Sequence, residues 1–142
     1  MTNDFVEHIN ITVKSLDRTV GFLRAALPSW QVRGQGAMEW YGKPIRWLHI
    51  GSATTYLALQ DGGEGAGPDW TGHQVGTKHI GIVVPSVDAV VDRLAAAGHA
   101  IDHWAGAHPH RKRAYFMDPD GLQFEFIEYL SDRPAERNDY SR

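Results

Sequence analysis

Apolar and polar residues alternate from Phe5 to Val13: Ile9, Ile11 and Val13 fall on one side, His8, Asn10 and Thr12 on the other. A period of two marks a strand with one apolar face. Ser15 then stands where an N-cap belongs, Asp17 follows in the first turn, and Leu16, Val20, Leu23 and Leu27 recur at helical spacing before Pro28. That pattern predicts an amphipathic helix, capped by a hydroxyl and stopped by a residue with no backbone N–H. Short strands are expected over residues 30–33, 45–50 and 54–60, separated by glycine-rich turns.

The stretch 61–77, DGGEGAGPDWTGHQVGT, carries six glycines and a proline and reads as a flexible connection. Beyond it the first pattern returns. Sliding the chain by 71 positions (79 − 8) lays His8 on His79, Ile9 on Ile80, Ile11 on Ile82, Val13 on Val84, Ser15 on Ser86 and Asp17 on Asp88. The second half therefore predicts a strand over 78–84 and a capped helix from Ser86 to Ala97 that Gly98 ends. Strands follow near 101–104, 113–117 and 122–129. Each half reads βαβββ, an α+β protein of two repeated modules: 1–60, the connection 61–77, the second module 78–130, and a polar tail 131–142 expected at the surface or disordered.

The last hairpin, AYFMDPDGLQFEFIEY over 114–129, turns at Asp118-Pro119-Asp120-Gly121. Glu125 lies between Phe124 and Phe126 and so points away from their face. A carboxylate in such a strand requires water, a cation or a metal ion opposite it. His8 and His79 hold the same position in equivalent strands, opposite the apolar stripes that must pack on the helices. Two imidazoles and one carboxylate make a recurrent N/N/O set for a divalent ion, with coordination positions left for substrate.

Composition narrows the chemistry. The chain has 142 residues, a net charge of −3 and no cysteine. That excludes disulfides, thiolate nucleophiles and sulfur-ligated metals, and shows no basic excess of the nucleic-acid-binding kind. No apolar run approaches the ~18 residues of a membrane span. The start, MTNDFVEH, lacks a basic-then-apolar signal region, so a cytoplasmic location is the default expectation.

From VEHINITV through TKHIGIVV to YFMDPDGLQFEFIEY, the chain resembles the vicinal oxygen chelate superfamily: glyoxalase I, fosfomycin-resistance thiol transferases, bleomycin-binding proteins and type I extradiol dioxygenases. The resemblance implies paired βαβββ modules whose curved sheets surround a metal cavity. It implies one divalent ion, Fe(II) favoured with Mn(II), Ni(II), Zn(II) or Co(II) as alternatives, held by His8, His79 and Glu125. It also implies a small-molecule substrate chelating through vicinal oxygens, and a homodimer.

The superfamily's reactions leave different marks. Glyoxalase I takes a fourth ligand from the last strand of the first module. Aligning YLALQD with FEFIEY puts Ala58 at the place of Glu125, and alanine cannot coordinate; Tyr56 and Gln60 share its face. The type I extradiol pattern resembles Gly106-Ala107-His108, then Ala114-Tyr115, then Asp118-Pro119-Asp120-Gly121 and Glu125. It implies catalytic roles for Tyr115 and His108. A thiol-transferase reading would use cations from Arg111, Lys112 and Arg113, or Arg46, for an anionic phosphonate. A drug-binding reading without catalysis would use the aromatic surface of Trp40, Tyr41, Trp47, Trp70 and Trp104. The dioxygenase-like reading is favoured slightly. His49, His73, His99, His103 and His110 follow no pattern and are expected at the surface.

Overall fold

The computed structural model describes residues 3–141; residues 1, 2 and 142, the last of these in the expected tail, lie outside the described residues. Its contacts divide the chain into two compact units, one ending at Gly65 and the other beginning at Ala66, inside the glycine-rich connection. No helix among the described residues is long and apolar enough to cross a membrane.

The first unit contains β1 (His8–Thr12), α1 (Leu16–Ala26), β2 (Gln31–Trp40), β3 (Lys43–Gly51) and β4 (Tyr56–Gln60). The second contains β5 (His79–Val83), α2 (Val87–Ala96), β6 (His103–Trp104), β7 (Arg111–Met117), β8 (Gln123–Tyr129) and the short α3 (Pro134–Arg137). The sheet orders are β1-β4-β3-β2 and β5-β8-β7-β6. In both, the last long strand pairs in parallel with the first and antiparallel with its predecessor. The α+β repeat expected from the 71-residue offset is thus present in topology.

Local chemistry explains the elements. Ser15 accepts a hydrogen bond from the Arg18 N–H at 3.3 Å, and Ser86 from the Ala89 N–H at 3.2 Å, so both helices start at hydroxyl caps. Gly98, at φ 90°, closes α2 while the His99 N–H bonds the Leu94 carbonyl. Phe22, Leu23, Leu48, Ile50, Leu57 and Leu59 form the first unit's core. Val87, Val90, Leu94, Phe116, Phe124 and Phe126 form the second's.

One expectation is corrected. The second strand extends to Trp40 rather than ending at Arg33, and Gly34 and Gly36 lie within it rather than in a turn. The hairpin turns instead at Tyr41 and Gly42, φ 44° and 89°, the pair of positive angles that a two-residue connection with native twist requires. The tail is tied down within the second unit. Arg137 lies over the Tyr129 ring at 4.1 Å, and Arg111 donates hydrogen bonds to the carbonyls of Arg137 and Asp139.

The turn before β8 is held by Asp118, whose Oδ1 accepts from the N–H groups of Asp120 (2.9 Å) and Leu122 (2.8 Å). Its buried Oδ2 has no hydrogen-bond partner among the described residues. Burial pushes its carboxyl above the usual range, opposed by those backbone bonds. A folded-state pKa above the unfolded one means that the cost of the buried charge is present at neutral pH and fades as pH falls through the raised value. Asp118→Asn keeps the accepting oxygen. It is expected to match or exceed the native stability at pH 7, with the gap shrinking in acid. Asp118→Ala should lose about 1–3 kcal/mol. Urea denaturation across pH checks both.

Candidate functional site

β8 runs through the middle of its sheet, and the register sets what surrounds Glu125. Its Cα partners are Gly81 on β5 and Tyr115 on β7. Phe124 and Phe126 go to the core, which turns Glu125 to the opposite face, where it is only 8% exposed. Its Oε2 stands 3.0 Å from His79 Nε2, and its Oε1 4.0 Å from an Arg113 guanidinium nitrogen. Tyr115 hydrogen-bonds the same carboxylate, and burial, then the Glu125 charge, pushes its phenol above the ordinary range. The hydroxyl therefore stays protonated and donates at neutral pH.

Tyr115 is fixed from its other side. His103, its register partner on β6, stacks on it at 4.4 Å with the planes 7° apart, and Trp70 of the connection stacks on His103 at 5.4 Å. His103 Nδ1 lies 2.5 Å from Asp102 Oδ2. Gln123, two residues before Glu125 and paired with His79, is 3% exposed, and neither atom of its carboxamide has a hydrogen-bond partner among the described residues. An orphaned buried amide is costly unless something polar meets it. These groups form one polar face on a rigid sheet.

In the first unit, the place of Glu125 is taken by Ala58. Ala58 pairs with Asn10, and Glu125 with Gly81, positions that the 71-residue offset superimposes. The place of Tyr115 is taken by His49, paired with Ala58 across β3 and β4. His8 stacks on Tyr56 at 4.8 Å, and Tyr56 on His49 at 4.7 Å, with the Arg33 guanidinium 4.1 Å over the Tyr56 ring. Glu7 Oε1 lies 2.9 Å from His8 Nδ1 and accepts from the Tyr56 hydroxyl at 3.3 Å. The His8 bond holds the Glu7 carboxyl below its usual range. A carboxylate on Nδ1 orients the ring and directs Nε2 outward, as metal-binding imidazoles require.

His79, Glu125 and Tyr115 thus come together, and His8 is oriented within its own unit. His108 has other partners: its Nε2 donates to the Asp139 carbonyl at 3.0 Å, and its Nδ1 accepts the His110 N–H at 3.0 Å. Nε2 holds the tail and Nδ1 holds the backbone of its own turn, so both ring nitrogens are engaged. Tyr56 stacks between two imidazoles, and Lys112 turns away to Asp88 at 2.6 Å. The residues that sequence reasoning passed over are His49, His103 and Gln123. Strand alternation carried a signal for His49, which shares its face with Trp47, and for Gln123, which shares that of Glu125.

The donor set suits a divalent ion. Two donors at right angles, each about 2.1 Å from a metal, stand about 3.0 Å apart, and His79 Nε2 and Glu125 Oε2 have that separation. Among the described residues no three His, Asp or Glu side chains gather to hold an ion by themselves.

The profile of the Glyoxalase/Bleomycin resistance protein/Dioxygenase superfamily matches residues 6–126, and the chain belongs to that superfamily. Solved structures share the fold. A glyoxalase/bleomycin resistance protein/dioxygenase domain from Frankia sp. EAN1pec is 24% identical over 90% of this chain and 99% of its own, with a TM-score of 0.72. The fosfomycin resistance protein FosX from Listeria monocytogenes, a mutant complexed with Mn(II) and 1S,2S-dihydroxypropylphosphonic acid, is 18% identical over 97% and 100%, TM-score 0.69. The trypanothione-dependent glyoxalase I of Leishmania major is 22% identical over 89% and 87%, TM-score 0.67. No curated protein matches the chain.

His49 supplies a prediction within this face. Burial first, then the charges of His8 and Arg33, pushes its imidazole below the ordinary value. Side-chain NMR titration should find it neutral where exposed histidines are half protonated, and Arg33→Gln should move it back towards the ordinary value.

Proposed function

We propose that this protein is a divalent-metal-dependent enzyme whose ion is held by His79 and Glu125 of the second module and His8 of a first module, its own or that of a second copy in a homodimer. The observation that carries this reading is the His79–Glu125 pair, an accessible imidazole and a buried carboxylate 3.0 Å apart on neighbouring strands. Fe(II) is favoured, with Mn(II), Ni(II), Zn(II) or Co(II) as alternatives. When bound, the ion would act as a Lewis acid towards a small substrate chelating through two adjacent oxygens. Tyr115, protonated and held between His103 and Glu125, would orient the substrate oxygens and hold a proton at its hydroxyl. Ala58, where a fourth carboxylate would stand, weighs against a glyoxalase I-type ligand set, and ring-cleaving dioxygenase-like chemistry is favoured. In this reading His108 serves the tail rather than the reacting atoms.

A second reading has its own observation. Arg113 lies beside Glu125, and its Nε has no hydrogen-bond partner among the described residues. A guanidinium so placed suits an anionic substrate group, such as the phosphonate of the ligand in the FosX structure.

Protein purified without a nickel column should carry stoichiometric transition metal, and added metal should raise its thermal stability. Glu125→Ala should weaken metal affinity at least about 100-fold with an unchanged circular dichroism spectrum. Normal metal retention in that variant removes Glu125 from the centre. Mixing His8→Ala with Glu125→Ala protein should restore metal sites only if the ligands come from different copies.

Dioxygen separates the reactions. Metal-loaded protein offered catechols should turn over under air and not under argon, and Tyr115→Phe should lower kcat about 10²–10⁴-fold with metal retained. Turnover that is equal under argon ends the dioxygenase reading in favour of isomerase, lyase or transferase chemistry.

A further inference from the structure

The first unit contains a cavity of about 200 Å³ over the strand face that carries Ala58. Its walls include Met38, Trp40, Trp47, His49 and Ala58, and Asn10 and Gln60 also line it. Two features show that it is built. The first is the missing side chain: where the second module has Glu125, this one has Ala58, and the space is left open. The second is the seat of Trp47. Gly36 is its register partner across β2, and a Cβ on Gly36 would come within 2.9 Å of the indole Nε1. A Cβ on Gly34 would meet the far edge of the same ring at 3.7 Å. The indole lies across a strip of bare backbone. Glycine inside a strand is unfavourable, and close approach of another group is a physical reason to keep it there.

We infer that this cavity binds a neutral planar ring, aromatic or heteroaromatic, bearing a hydrogen-bonding substituent. Two indoles and a thioether offer flat, polarizable surface for stacking. The carboxamides of Asn10 and Gln60 offer both donors and acceptors. Among the described residues no Lys, Arg, Asp or Glu lines the cavity, so a charged group would be desolvated there without a counter-charge. His49 adds no charge at neutral pH, since burial holds its imidazole low. The cavity exceeds the roughly 150 Å³ that accommodates benzene in an engineered apolar cavity. Such a ring would belong to the substrate proposed above, and its role there rests on that reading, but its binding needs no metal.

The test uses full-length protein freed of metal with EDTA. Benzamide is the probe, with cyclohexanecarboxamide as its non-planar and benzoate as its charged counterpart. The readout is the Trp47 indole N–H signal in NMR, identified by its loss in Trp47→Phe. Benzamide should shift that signal saturably, and the two counterparts should bind at least about fivefold more weakly. Gly36→Ala, which displaces the indole, and Ala58→Leu, which fills the space, should each weaken benzamide by a similar factor. Absence of a saturable shift, equal affinity for all three probes, or full affinity in both folded variants overturns the inference. The probe comparison in native protein stands even if a variant fails to fold. Benzamide binding without any metal retention would defeat the metal reading alone, and metal retention without benzamide binding would defeat the ring inference alone.

Discussion

The parallel pairing of the first and last strands of each module is the constraint on which the other arrangements depend. It brings residues far apart in sequence into fixed register, Ile80 beside Phe124 and Ile9 beside Leu57, and buries Phe124 and Leu57 against the helix layer. Because side chains alternate with a period of two, burying Phe124 and Phe126 leaves Glu125 one direction to face. A slip of one residue would send Glu125 into the core and a phenylalanine onto the polar face. The hydrophobic core therefore aims the carboxylate, and the helix caps, by fixing where α1 and α2 start, hold the layer that enforces it.

The same frame carries two different faces. In the second module it bears an imidazole, a carboxylate and a phenol, with a buried carboxamide that has no partner among the described residues. In the first it bears an imidazole oriented by Glu7, a stack of Tyr56 and His49, and a cavity walled by two indoles. Duplication fixed the geometry and left the chemistry of each position free. Ala58 and Glu125 are the clearest pair, with equal register and opposite capacity to hold a cation.

Much of this was legible in the sequence. The 71-residue offset, the serine caps and the alternation around His8 and His79 are local signals, and local signals survive in a linear text. Membership of the superfamily followed from the same stretches. What escaped was non-local. Gly34 and Gly36 read as turn residues because their reason, the Trp47 indole, is eleven or more positions away and reaches them only through hairpin register. His103 looked like a surface residue because its partners, Tyr115 and Trp70, come from another strand and from the connection. For the tail, surface and disorder stood as alternatives because its carbonyls and side chains find their partners on the segment that leads into β7 and on β8, which no periodicity announces.

The seat of Trp47 has a consequence for how this chain can change. Without the indole, Gly34 and Gly36 would keep their entropic cost with nothing lying over them, and with any larger residue at Gly36 the indole has no place to lie. Gly36 and Trp47 therefore constrain one another, whereas a Cβ at Gly34 would stand at an ordinary 3.7 Å from the ring. Change in what the cavity presents has its freest path through Met38, Trp40 and Asn10, which line it without sharing that contact.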